Sequence, residues 1–188
     1  SWGDFKAAYP QGVVLDRAAT GFSRDYGRNP YVGYDGSSDP FLFRGTVDDR
    51  ATAMRRIVGV SFDDVSVAWV LDAVSGEGPT ATNTRVGGAP IVIFWQPGQA
   101  SALDTADVTT GREVGSVGVF RAELDGRILE FTGTSTGFVD SATGTTWSLT
   151  GRAVEGPLLG SELTRLVHLD TFWFAWSTYR PGTDLLEV

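Results

Sequence analysis

A serine and the only histidine of this sequence could serve a hydrolytic reaction. Gly133, Ser135 and Gly137 satisfy the G-x-S-x-G pattern of a nucleophile elbow, and Asp140 and His168 follow in the chain order of a hydrolase triad. An elbow requires a strand, a sharp turn and then a helix, whereas the residues after Gly137 have a strand pattern that runs into another turn. The match supports a hydrolase only as an alternative, because patterns this short often occur by chance.

His168 also stands two residues before Asp170, where a helix is expected to begin. A carboxylate at this spacing could orient the imidazole as a general base. The other interpretation is that His168 packs at the entrance of the helix, as a single histidine without a neighbouring nucleophile usually does. We favour this structural role and a non-catalytic protein. His168, Asp170 and Ser135 are the catalytic candidates of the alternative.

The densest polar and aromatic stretch, residues 24–35, is the best candidate for a ligand-binding segment. Its guanidinium groups could bind anions, and its phenols could stack on a ligand or form hydrogen bonds with it. Long ordered loops of this kind are often functional. The candidate residues are Arg24, Asp25, Tyr26, Arg28, Asn29, Tyr31, Tyr34 and Asp35. Equally, the loop could satisfy itself if Arg24 and Arg28 pair with Asp25 and Asp35.

The residue types give little support for metal or cofactor chemistry. The sequence has no cysteine and one histidine, which excludes thiolate sites, iron–sulfur clusters and multi-histidine metal sites within this chain. Residues 35–39 alternate oxygen ligands as a calcium loop would. However, Pro40 stands where an EF-hand needs glycine, and Thr46 where it needs glutamate. We therefore predict no metal and no cofactor.

Charge and hydropathy exclude two classes of partner. A net charge of −8 repels the phosphate backbone of nucleic acids. The sequence contains no run of about 18 apolar residues, so we expect no segment that inserts directly into a membrane. Small ligands and other protein domains are the partner classes that are left.

The elements that must position these residues are predicted to be mostly strands. Aromatic residues make up 12% of the chain and 24 residues are glycine, a pairing that favours sheets with many turns over helical bundles. We predict a mainly β (α+β) fold in which an antiparallel meander forms a sandwich or a partly open barrel. Short helices are expected near residues 2–9 and 170–179.

Two local patterns are specific enough to predict side-chain positions. Residues 91–95 are apolar throughout, which is typical of a central strand. The dipeptide Asp125–Gly126 predicts a two-residue hairpin turn. In that register one face is buried, and Arg121 lies opposite Glu130 as a cross-strand ion pair. The residues predicted on the buried face are Phe120, Ala122, Leu124, Leu129 and Phe131.

The chain also contains an internal repeat. Residues 1–15 align without gaps with residues 172–186, and both segments have a short aromatic helix pattern, a proline and an extended stretch. The identical positions are Trp2 with Trp173, Pro10 with Pro181 and Leu15 with Leu186. We interpret residues 1–15 as the tail of an upstream repeat, residues 16–57 as an ordered connection and residues 58–188 as a second repeat unit. All three are expected to pack as one globular domain.

Several motifs along the chain are specific enough to indicate a family. They are residues 20–31, Val86 with Gly87 and Gly88, Asp140 with Thr143, Gly144 and Trp147, residues 151–153, and residues 172–176. In these motifs the sequence resembles the bacterial and archaeal domain-of-unknown-function 3179 family, over nearly its whole length. The resemblance implies a longer, commonly exported protein with two related halves, of which this chain holds the second half and the end of the first. It implies no activity.

Together these observations predict an extracytoplasmic binding or assembly domain that is the non-catalytic lobe of a larger two-lobed protein. Its expected partner is the upstream repeat of the same protein or another protein subunit. Two alternatives stay open. One is a hydrolase that uses His168 with Asp170, or Ser135, and the other is a structural subunit of an extracellular assembly, whose six tryptophans would anchor interfaces.

Overall fold

A computed structural model describes residues 2–62 and 64–187 of the chain. Within these residues the fold is mainly β, with a few short helices. The α-helices are α1 (Trp2–Ala8), α2 (Leu71–Val74) and α3 (Trp173–Tyr179). The strands are β1 (Arg56–Phe62), β2 (Val65–Val70), β3 (Thr80–Val86), β4 (Ala89–Gln96), β5 (Ser116–Arg121), β6 (Glu123–Leu124), β7 (Arg127–Ile128), β8 (Phe131–Thr134), β9 (Gly137–Asp140), β10 (Thr146–Trp147), β11 (Ala153–Glu155), β12 (His168–Phe172) and β13 (Asp184–Leu186).

The strands form stacked open sheets, as predicted for a sandwich, and the described residues contain no closed barrel. Sheet 1 has the strand order β12-β1-β2-β13, sheet 2 the order β3-β4-β5 and sheet 3 the order β11-β10-β9-β8. Strands β6 and β7 form a separate hairpin. All pairings are antiparallel except that of β13, which runs parallel to β2. No helix of the described residues is long and apolar enough to cross a membrane.

Strand β4 lies at the centre of this stack, as its apolar run predicts. Ile91, Ile93 and Trp95 join the core cluster shared with sheet 1, because alternate side chains of a strand point to opposite faces. Val92 and Phe94 face the aromatic cluster of sheet 3. A strand buried on both faces cannot alternate apolar with polar residues, which explains the continuous run.

The predicted hairpin at Asp125–Gly126 is confirmed. Both turn residues have positive φ, 51° and 77°, as a type I′ turn requires, and the predicted apolar face joins the core beside sheet 3. The predicted ion pair is wrong. Arg121 lies with its guanidinium carbon 4.8 Å from the ring centroid of Phe62, and it makes no ion pair with Glu130. The ring of Phe62, in β1, is partly buried, so its contact with the guanidinium is stronger than an ion pair in water. Glu130 is exposed to solvent, where an ion pair contributes little.

Both predicted helices are present, and they are packed very differently. Helix α3 covers the outer face of sheet 1, where Trp173 and Trp176 form a core cluster with Ile57 and Ala68. Helix α1 buries none of its residues. Residues 9–55 contain no named strand and include two short 3-10 turns. This segment is held against the loop before β5 by main-chain hydrogen bonds, such as that from Asn29 N to Ala106 O at 2.9 Å.

Candidate functional site

The residues of the predicted hydrolase constellation serve local structure. Ser135 lies in the exposed turn between β8 and β9, with a strand rather than a helix after it, so the geometry of a nucleophile elbow is missing. His168 begins β12, which belongs to a different sheet. No hydrogen bond joins Ser135 to His168 or Asp140.

Asp140 is fully buried and stabilises the turn after β9. Its carboxylate accepts hydrogen bonds from Thr143 N at 2.6 Å, Thr143 Oγ1 at 2.8 Å and Trp147 Nε1 at 3.0 Å. Burial raises the pKa of Asp140, but the hydrogen bonds from Trp147 and Thr143 outweigh it and hold the pKa below the usual value. Asp140 is therefore an ionised structural residue, and the family motif around it describes a turn.

His168 and Asp170 share a face of β12 without forming a pair. The Nδ1 atom of His168 lies 2.8 Å from the carbonyl oxygen of Leu166, and burial lowers the pKa of the imidazole. Asp170 accepts two hydrogen bonds from Arg56, from Nε at 2.9 Å and from Nη2 at 3.1 Å. A bidentate ion pair of this kind occupies the carboxylate that would have oriented a general base.

The structure splits the predicted ligand-binding segment into two parts. In the first part Asp25 caps the backbone N–H of Gly27, the phenol of Tyr26 contacts Thr20, and the guanidinium of Arg24 lies over the ring of Phe22. Arg28 forms a single β-bridge with Asp107. These contacts make residues 24–28 an exposed, locally satisfied loop.

The second part, residues 29–35, packs onto the loop before β5. Asn29 is buried, and its side chain donates to Thr105 O and accepts from Tyr31 N. Tyr34 lies between the rings of Tyr31 and Phe172. Asp35 is buried at the end of this part. The predicted pairing of Arg24 or Arg28 with Asp35 does not occur, because the ion-pair partner of Asp35 is Arg112.

Asp35 pairs with two residues that the sequence pattern did not indicate. Its Oδ2 atom accepts a hydrogen bond from Ser101 Oγ. The same atom forms an ion pair with Arg112 Nη2 at 3.1 Å. Arg112 Nη2 also donates to the main-chain oxygen of Asp35 at 3.0 Å. Ser101 and Arg112 lie more than sixty residues away along the chain, so no local spacing could have revealed them.

A cleft of 490 Å³ opens beside Asp35. Its polar wall contains Arg55, Arg56 and Arg112 together with Asp72 and Glu113. Burial raises the pKa of Glu113. The hydrogen bonds that its carboxylate accepts from backbone N–H groups outweigh this effect and keep the pKa below the usual value. The apolar wall is formed by Met54, Leu71, Trp95 and Val114.

A second candidate surface is the N-terminal segment, which we define as residues 2–15; Ser1 of the predicted tail lies outside the described residues. Val13, Val14 and Leu15 expose 91%, 63% and 77% of their surface. Their main-chain groups make no hydrogen bond with other described residues. Trp2 is also more than half exposed. Contiguous exposed apolar residues of this kind mark interaction surfaces.

The C-terminal segment, which we define as residues 173–186, shows the same order of elements in a buried setting. Trp173 is fully buried, and its Nε1 donates to Asp48 O at 3.0 Å. After the turn at Pro181, β13 pairs in parallel with β2, with Leu186 opposite Trp69. The predicted helix, proline and extended stretch are thus present, and here they cover the face and the edge of sheet 1.

Comparison with known proteins supports the resemblance seen in the sequence. A protein-family model described as "Protein of unknown function (DUF3179)" matches residues 1–183 of the chain. No curated protein and no solved structure gave a match.

Proposed function

The chain belongs to the DUF3179 family, and we propose that it is a binding or assembly domain of a larger extracytoplasmic protein. The observation that carries this proposal is the exposure of residues 13–15, which end a segment whose sequence pattern resembles that of the buried C-terminal segment. The proposed partner is a sheet built like sheet 1, either in the upstream repeat of the same protein or in another subunit.

The C-terminal segment provides the template for this interaction. It stabilises sheet 1 in two ways: α3 covers the outer face, and β13 extends the edge beyond β2. Strand addition of this kind satisfies main-chain hydrogen bonds along an open edge, while alternate side chains enter the core. In the N-terminal segment, Trp2 corresponds to Trp173 and Leu15 to Leu186.

The energy available for docking comes from residues that are now exposed to water. Complete burial of a valine or leucine side chain contributes about 1.5–3 kcal/mol, and three such residues lie in sequence at positions 13–15. A paired strand would also satisfy main-chain groups that have no partner among the described residues. A partner sheet with an open edge fits both requirements.

Hydrogen exchange tests the proposal directly. In the 188-residue chain, the amides of residues 13–15 are expected to exchange at nearly the rate of an unstructured peptide. In the protein isolated from its source, a docked partner should slow them by about a hundredfold or more, because a paired amide exchanges only after local opening. The amides of β13 serve as the internal control and should be protected in both samples.

The result that contradicts the proposal is rapid exchange at residues 13–15 in both samples while β13 stays protected. A single substitution then identifies the contact surface in the protected sample. Val14→Asp should restore rapid exchange at residues 13–15, since a charge opposes burial. Arg17→Asp changes charge just outside the segment and should leave the protection in place.

A further inference from the structure

The cleft beside Asp35 contains hydrogen-bonding capacity that the protein itself leaves unused. Arg112 uses only Nη2 for its contacts with Asp35, and Arg55 uses only Nη2 in its 3.2 Å ion pair with Asp72. The Nε and Nη1 donors of both side chains have no partner among the described residues. Their side chains are 49% and 45% exposed, so both guanidinium groups can receive an anion.

Arg56 shows a contrasting arrangement in the same cleft. Its Nε and Nη2 atoms both bind Asp170, and the two side chains are mostly buried. Arg56 therefore contributes structure, while Arg55 and Arg112 provide the available half of the anion site. The remaining N–H donors of each guanidinium can bind one oxygen of a carboxylate.

Asp35, one of the residues that line this cleft, carries an unused acceptor. The carboxylate of Asp35 is 1% exposed, and its Oδ1 atom is the one buried side-chain oxygen or nitrogen without a hydrogen-bond partner in the described part of the chain. Leaving a buried polar atom unpaired destabilises the folded state. Exceptions of this type call for a specific explanation, such as a ligand that supplies the missing group.

We infer that the cleft binds a small zwitterion, which carries a carboxylate and an ammonium group as amino acids and short peptides do. The carboxylate would bind Arg55 and Arg112, and the ammonium would donate to Asp35 once the side chains that cover its carboxylate move aside. Met54, Leu71 and Trp95 would pack against the apolar part of the ligand. The volume of 490 Å³ lies within the range of small-ligand pockets, about 300–1,000 Å³.

Titration of the folded chain with L-alanyl-L-alanine tests this inference. Calorimetry or amide chemical shifts should detect saturable binding, with shifts at Arg112 and Trp95. The N-acetyl derivative lacks the ammonium and the C-terminal amide lacks the carboxylate. Each should bind at least about tenfold more weakly, because each loses a charged hydrogen-bonding group. Inorganic phosphate is the third probe, since it carries negative charge alone.

Arg55→Ala separates recognition from folding. Its partner Asp72 is 75% exposed, so loss of the ion pair should leave the melting temperature nearly unchanged. Binding of the dipeptide should fall about tenfold, whereas the amide derivative should be unaffected. Arg127→Ala is the matched control, because Arg127 is an exposed arginine on the hairpin β6–β7, which contributes no residue to the cleft. Asp35→Asn should weaken binding of the dipeptide but leave binding of the N-acetyl derivative unchanged.

Three outcomes would overturn the inference. One is the absence of saturable dipeptide binding by the folded chain, and another is binding that Arg55→Ala leaves unchanged. The third is binding of inorganic phosphate that equals or exceeds binding of the dipeptide, which would assign the cleft to simple anions. None of these results bears on the N-terminal segment, whose exposure is measured separately by hydrogen exchange.

Discussion

The N-terminal and C-terminal segments present one sequence pattern in two environments. In the C-terminal segment Trp176 lies on the backbone of β1 at Gly59, and its Nε1 donates to Thr183 Oγ1 at 2.9 Å. In the N-terminal segment the aromatic rings contact one another instead: Trp2 stacks on Phe5 at 5.4 Å between centroids. The similar sequence pattern is therefore buried in the C-terminal segment, which packs on sheet 1, and largely exposed in the N-terminal segment.

The difference also separates stability from recognition. Residues that are already buried against sheet 1 contribute to the free energy of unfolding of this chain, whereas residues 13–15 contribute little because they are exposed. Substitutions at corresponding positions should therefore have unequal effects on the isolated chain.

The largest difference is expected between Trp173→Ala and Trp2→Ala. Trp173 is fully buried, so its truncation leaves a cavity and should lower the free energy of unfolding by about 3–5 kcal/mol. Trp2 is more than half exposed, and its truncation should change the same quantity by less than about 0.5 kcal/mol. Urea unfolding followed by circular dichroism measures both. Equal losses would show that α1 is as much a part of the core as α3.

A smaller effect is expected at the seat of Trp176. A Cβ atom on Gly59 would lie 2.5 Å from the indole ring, so Gly59→Ala must displace the ring or the strand. Overpacking of this kind costs about 1–3 kcal/mol. Gly78→Ala is the matched control because its Cβ would meet no atom within 4 Å. If the two variants unfold at the same urea concentration, close contact between α3 and β1 is not required for stability.

The smallest effect concerns pH and the edge strand β12. Burial lowers the pKa of His168, so the unfolded chain binds this proton at a higher pH than the folded chain does. Above the unfolded pKa of about 6.5 the group has no influence. As pH falls below that value, stability should decrease until the folded pKa is passed. Urea midpoints between pH 7.5 and 5.5 measure the loss.

His168→Gln should remove this pH dependence, because glutamine does not titrate. A pH dependence that the variant retains would assign the effect to other groups. Hydrogen exchange at residues 13–15 is the corresponding control in the N-terminal segment. Those amides are already exposed to solvent, so on acidification their exchange rates should change only by the intrinsic effect of pH on exchange.

Sequence reasoning worked best where a structural feature depends on neighbouring residues. The hairpin follows from the positive φ angles of Asp125 and Gly126, and the central strand from an uninterrupted apolar run. The predicted ion pair between Arg121 and Glu130 is wrong because Arg121 contacts the aromatic ring of Phe62, which is distant in sequence. Local register placed the two charges opposite each other but could not include the third residue.

The candidate cleft was only partly predictable. Asp35 belongs to the polar segment identified in the sequence, yet residues 24–28 of that segment form an exposed loop and do not line the cleft. Arg112 and Ser101 became relevant only when the loop before β5 folded against residues 29–35. Pairings of this kind depend on long-range packing, for which a single sequence gives no periodic signal.

The sequence by itself determined the mainly β composition, the central strand, the short helices and the repeated pattern, because each depends on local backbone preferences and on the spacing of apolar residues. Tertiary structure decided which of the two similar segments is buried, and it brought Asp35, Ser101 and Arg112 together. The physical reason is that burial and charge pairing depend on which distant surfaces meet, and those surfaces form only when the sheets have stacked.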